Sequence, residues 1–102
     1  MTTLVVLFNL KDRTQVEAYE KWAKETDLPI AGNLPSVDKF EVLKSQGLLM
    51  GAGEPPYQYI EILRINNMEQ LGKDVQTEAM QKVASEFQDF ADNPTFIITK
   101  NL

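Results

Sequence analysis

A chain of 102 residues, 43% hydrophobic and 25% charged, has the size and composition of one soluble globular domain and predicts no disordered tract. Ten basic against fifteen acidic residues, net −5, argue against nucleic acid as a partner, because its phosphates need a cationic face. Lys11, Arg13, Lys21 and Lys24 do cluster, but Glu17, Glu20 and Glu25 interleave with them. With no histidine and no cysteine, disulfides and Ser-His or Cys-His nucleophile pairs are excluded and the usual zinc and transition-metal sites are not expected; acid–base work falls to Asp, Glu, Tyr, Lys or Arg.

In chain order, residues 3–10 (TLVVLFNL) form a nearly continuous apolar run, the pattern of a strand covered on both faces. The apolar part is too short for a signal peptide or a spanning helix and lacks a basic flank, so no membrane and a cytoplasmic location are expected. Asp12 is a fair N-cap for a helix over 13–26, with Val16, Tyr19, Ala23 and Thr26 on one stripe and Trp22 beside it. That helix is expected to stop near Asp27, because Pro29 disfavours a helical Leu28.

A second strand is expected over 36–44 (SVDKFEVLK). Its alternation puts Val37, Lys39, Glu41 and Leu43 on one face and Asp38, Phe40, Val42 and Lys44 on the other. Residues 45–56 carry three of the five glycines and two prolines and read as a hairpin connection, with Leu48 to Met50 extending the strand past a bulge at Gly47. Residues 57–65 (YQYIEILRI) form the third strand, with Tyr57, Tyr59, Glu61, Leu63 and Ile65 on one face. Asn66 and Glu69 stand at capping-box spacing, Gly72 interrupts the helix they start, and a longer helix runs from about Val75 to Ala91. Asp92-Asn93-Pro94 stops it before a last strand over 95–100.

The order β-α-β-β-α-β is that of a ferredoxin-like α+β domain, a single unit spanning 1–102, with two main helices on one face of an antiparallel sheet. The opposite face would be bare, yet strands one and three are apolar on both sides. A second copy packed sheet to sheet, a homodimer, relieves that exposure.

The residues Tyr19-x-x-Trp22, Asp27-x-Pro29, Leu34-Pro35-Ser36-Val37 leading into Phe40-x-Val42, and Tyr59-Ile60-Glu61 resemble those of the dimeric α/β-barrel superfamily. Within it the chain looks most like the small RedY-like (HapK-type) proteins found with prodigiosin-type pigment pathways. The resemblance covers most of residues 1–65 and is thin beyond. It implies a homodimer with a pocket between helix and sheet, and relatives that include monooxygenases, isomerases, lactone-processing enzymes and polyketide cyclases, many without a cofactor. Several relatives use a histidine near the end of the first helix. This chain has none, and Asp27 stands where that polar group is expected.

Glu61 and Asp27 are the candidate catalytic residues. Glu61 sits mid-strand on the expected cavity face, where burial raises a carboxyl group into the range useful for proton transfer; the structural alternative is a salt bridge to Lys39. Asp27 at a helix end opposes the helix dipole; the alternative is a capped turn before Pro29. Glu41 approaches Glu61 if strands two and three pair in ordinary register, or is exposed or lysine-paired. Tyr19, Trp22 and Tyr59 form an aromatic wall for a flat ligand, or plain core. Arg64 pairs a substrate carboxylate, or Glu54 or Glu69. Gly51-Ala52-Gly53 lacks the third glycine and following helix of a phosphate loop, so nucleotide binding is rejected.

The expectation is a cofactor-free, metal-free enzyme that cyclises, dehydrates or isomerises a small indole- or pyrrole-type intermediate. The alternatives are a carrier or chaperone for a reactive intermediate, and a cofactor-free monooxygenase.

Overall fold

A computed structural model describes residues 1–102. Strand β1 (Thr2–Leu10) leads into a 3-10 turn (Arg13–Gln15), helix α1 (Val16–Trp22), a wide π turn (Ala23–Asp27) and helix α2 (Leu28–Gly32). Strands β2 (Val37–Lys44) and β3 (Tyr59–Ile65) follow, then helices α3 (Met68–Asp74) and α4 (Glu78–Phe90) and strand β4 (Ala91–Lys100). The four strands form one antiparallel sheet in the order β2-β3-β1-β4. This is the ferredoxin-like split βαβ arrangement expected from the residue pattern. No helix is long and apolar enough to cross a membrane.

Alternation along the strands sorts the sheet into two faces. Val6, Phe8 and Leu10 of β1, with Tyr59, Glu61 and Ile65 of β3, are buried under the helices. Between the layers, one end is filled by rings. Phe8 packs edge-on against Phe87 with centroids 4.9 Å apart and stacks on Tyr59 at 5.6 Å; Tyr19 lies 4.7 Å from Tyr59. The other end, beyond Val6 and its cross-strand neighbour Glu61, is hollow.

Five expectations need correction. The last strand starts at Ala91 and holds Asp92-Asn93-Pro94 within it, where Asp92 pairs with Asn9. The first helix does not stop at Asp27: Leu28 is helical (φ −58°, ψ −47°) and its N–H reaches the Ala23 carbonyl across the π turn. The wider turn relieves the clash that Pro29 would make in a regular helix, and Pro29, which has no N–H to satisfy, falls in the first turn of α2. In β2 the pairing shifts between Val37 and Lys39, so Val37 joins the buried face and Glu41 goes to the other. Residues 45–58 contain no strand extension. Finally, α3 is capped by Asn67, whose Oδ1 accepts the Gln70 N–H at 3.0 Å, and runs unbroken through Gly72. Asn66 is engaged elsewhere, donating to Asp38 Oδ1 at 2.8 Å and to the Pro35 carbonyl at 3.0 Å.

Two polar joints hold the helices over the hollow end. Buried Asp74 at the end of α3 accepts from Ser36 Oγ at 2.6 Å, Ser36 N at 3.0 Å and Gln70 Nε2 at 2.7 Å, which hold its carboxyl below the usual range. Trp22 Nε1 donates to Glu86 Oε1 at 3.0 Å, tying α1 to α4.

The second sheet face carries no helix. Val5, Leu7, Ile60 and Ile62 lie half-buried in its middle, with Leu43 and Ile97 exposed beside them.

Candidate functional site: a carboxyl pair in an apolar cavity

The hollow between the layers is a cavity of about 270 Å³. Most of its lining is aliphatic or aromatic, including Leu63, Phe40, Val83, Phe87 and Phe96. Its polar lining residues are Asp27, Glu61 and Gln88. Different elements deliver the two acids. The π turn swings Asp27 inward rather than letting it face solvent as a helix end, and the pleat of β3 points Glu61 inward between Tyr59 and Leu63. Their residues are 5% and 6% exposed, so both carboxyls are out of water.

No cation compensates them. The chain's ion pairs, Lys39–Glu41 at 3.6 Å and Lys44–Glu20 at 2.8 Å, lie elsewhere, and Glu61 Oε2 is buried with no hydrogen-bond partner. Desolvation penalises the charged form, so burial pushes the Asp27 carboxyl up to about 7. Glu61 is raised well above its ordinary value by burial and then by the charge of Asp27 beside it. At neutral pH the pair therefore retains a proton, and its titration belongs to both groups together. No group of three or more His, Cys, Asp or Glu converges to hold a metal ion.

Tyr19 completes the polar cluster. It is fully buried, and its hydroxyl has no partner. Burial, then the neighbouring charges of Glu61 and Asp27, hold the phenol firmly protonated. On its other side a smaller pocket of about 140 Å³ opens past Lys24 and Lys44. There Glu20 accepts from the Tyr59 hydroxyl at 2.6 Å and from Lys44 Nζ, which together keep it ionised. The two tyrosines should respond differently to loss of the hydroxyl. Tyr19→Phe removes a partnerless group and is expected to leave stability unchanged or raise it by about 1 kcal/mol, whereas Tyr59→Phe abandons a charge-assisted bond and costs about 1–2 kcal/mol. Urea unfolding of both variants measures this; equal losses would mean that the Tyr19 hydroxyl is bonded in solution.

The expected site is thus assembled in part. Asp27 and Glu61 share the cavity, and the Tyr19 phenol lies near enough to feel the charge of both. Tyr59 faces the smaller pocket with its hydroxyl committed to Glu20. Trp22 does not line the cavity: it packs against Phe87 and Phe90 and is held by Glu86. Glu41 lies opposite Ile62 on the helix-free face, where it pairs with Lys39 and cannot approach Glu61. Arg64 is on that face too and donates to Thr3 Oγ1 at 3.3 Å rather than to Glu54 or Glu69. The aromatic walls are instead Phe40, Phe87 and Phe96. Phe87 stands at helical period with Val75, Ala79, Val83 and Phe90 in the sequence, but periodicity alone does not separate a cavity wall from a filled core.

These features define a ferredoxin-like α+β protein with a carboxyl-bearing apolar cavity between its two layers. The chain belongs to the family of the REDY-like protein HapK, whose model matches residues 2–102, well past the segment where the sequence resemblance thins. It is similar to the crystal structure of HapK from Hahella chejuensis, with a TM-score of 0.83 and 25% identity over 100% of this chain and 93% of that one. The fold is shared with At3g17210 from Arabidopsis thaliana (TM-score 0.81, 18% identity, 100% of this chain and 96% of that one). It is shared also with SnoaB, a cofactor-independent oxygenase from Streptomyces nogalater (TM-score 0.73, 11% identity, 98% of this chain and 91% of that one). No curated protein sequence matches the chain.

Proposed function

We propose that this protein is a cofactor-independent enzyme of secondary metabolism that cyclises, dehydrates or isomerises a small indole- or pyrrole-type intermediate by carboxyl acid–base chemistry. It acts as a homodimer joined through the helix-free sheet face. The observation that carries the catalytic reading is the convergence of Asp27 and Glu61, far apart in sequence, on one apolar cavity with no counter-cation. Two acids sharing a proton supply both halves of a proton-shuttling step. The protonated member donates to a carbonyl or departing hydroxyl oxygen, while the ionised member accepts a proton from carbon or nitrogen. The apolar walls hold the ligand in one orientation and exclude competing water. Family membership supports a role close to HapK, and the SnoaB likeness keeps oxygen chemistry among the outcomes of the test.

The test is incubation of the purified protein with indole- and pyrrole-derived keto, imino and amino compounds, with and without oxygen, followed by mass spectrometry. A product lighter by water, or isomeric with its precursor, formed in catalytic amount under nitrogen is the expected result. Product only in oxygen would replace this reading with a monooxygenase. Retention of a compound without conversion would replace it with a carrier.

A further inference from the structure

Building on the acid–base reading of the same cavity, we propose that the site selects a nitrogen base (an amine or imine on a flat apolar body) and rejects ligands that carry an acid group. The argument is one of charge inventory. The cavity lining presents two carboxyl groups and one amide, and no lysine or arginine. One carboxyl oxygen, Glu61 Oε2, is enclosed with nothing to bond, although Glu61 is only 6% exposed. A buried polar atom left open in this way is costly, and a ligand donor that meets it recovers that cost on binding.

An ionised acid group has no donor to offer there and would place a second negative charge beside the pair's own, in a medium that screens little. A neutral imine or amine avoids both penalties. A ligand that arrives neutral passes exposed Phe96 without desolvating a charge and takes the proton that the pair holds, whereas an amine already protonated in water sets its ammonium against the pair's carboxylate. The proton moves from a carboxyl oxygen to the ligand nitrogen, leaving a carboxylate and a cationic nitrogen in contact, so charge and atoms balance. For an imine, the resulting iminium is the electrophile that a neighbouring nucleophilic carbon attacks in a ring closure. Selection and activation are then the same event. The volume of about 270 Å³ admits one or two fused rings with a short side chain.

Isothermal titration calorimetry on the full chain at physiological salt tests this with three indole probes of similar shape: tryptamine, neutral 3-methylindole and indole-3-acetate. Tryptamine is expected to bind about tenfold more tightly than 3-methylindole, and indole-3-acetate about tenfold more weakly. In the Asp27→Asn/Glu61→Gln variant, or in either single variant if the double one does not fold, the three affinities converge. A preference for tryptamine that survives in these variants would assign it to the net −5 surface and overturn the proposal, as would equal or tighter binding of indole-3-acetate or no binding of tryptamine. The readout is separate from turnover. Charge selection with no product in the incubations keeps this inference and removes the enzyme reading, whereas catalysis on acid-bearing substrates does the reverse.

Discussion

Asp27→Asn and Glu61→Gln are each expected to cut turnover by about 10²–10⁴-fold, the usual worth of a positioned acid or base, while making the folded protein more stable above pH 7. The two effects share one cause. Each carboxyl has a folded-state pKa above its ordinary value, so ionisation is harder in the folded chain than in the unfolded one. Below the unfolded pKa both states are protonated and nothing is lost. As pH rises through the unfolded value toward the folded one, the unfolded chain ionises first and stability falls. For Asp27 that window runs from 3.8 to about 7. Three pKa units correspond to about 4 kcal/mol, and burying an amide in its place costs about 1–3 kcal/mol, so a net gain of about 2 kcal/mol is expected at pH 8. In a chain this size that is a rise in melting temperature of about 10 °C, fading toward pH 4. Thermal unfolding at the two pH values reads the stability. A pH–rate profile reads the chemistry: the acid limb should fall through about 7, where the pair gains its second proton and loses its base. Lower stability at both pH values, or unchanged turnover, would show that the pair is structural.

That combination, a site which destabilises the molecule holding it, also explains what was legible in the sequence. An acidic residue between Tyr59 and Leu63 on an otherwise apolar strand face conflicts with strand burial, and such a conflict can be read without coordinates. So can the element order, because the apolar run of β1 and the stripe of α4 repeat over many residues. What escaped is what turns on one residue. A bulge between Val37 and Lys39, at a position with neither Gly nor Pro to announce it, sends Glu41 to the opposite face from Glu61. The π turn that carries Asp27 into the cavity is a local widening within a continuous helical path, and Pro29 suggested an ending instead. Trp22, just before that turn, packs against α4 rather than against a ligand, a tertiary contact that its place beside the helical stripe does not announce. Asp27 was identified, but its partnership with Glu61 is a tertiary fact: 34 positions separate the two, and no spacing rule connects them.

On the proposed pairing through the helix-free face, Ile62→Arg is expected to give a monomer, raising the dissociation constant by at least about 100-fold, with the fold and the cavity intact. Ile62 pairs with Val5 on one side and lies opposite Glu41 on the other, in the middle of the helix-free face. Around it lie Leu7, Ile60, Leu43 and Ile97, the last two 45% and 41% exposed. An apolar patch of this kind, with Glu41 and Arg64 at its border, is unusual on a monomer, and a two-fold axis through it lets the same patch cover itself. The position is diagnostic because its side chain points away from the helices. In a monomer an arginine there meets water and Glu41, so the folded state loses almost nothing. In a two-fold dimer each copy drives a cation into the apolar centre of the contact, beside its own symmetry mate, which costs several kcal/mol. Sedimentation equilibrium separates the cases. Leu49→Ser supplies the control, since Leu49 at the tip of the 45–58 loop is 99% exposed and equally apolar. If Leu49→Ser splits the dimer and Ile62→Arg does not, the loop tip and not the sheet face is the joint. If the unsubstituted protein already sediments as one chain, the open face is solvent-exposed and the cavity works within one chain; a dimer that neither variant changes is joined elsewhere.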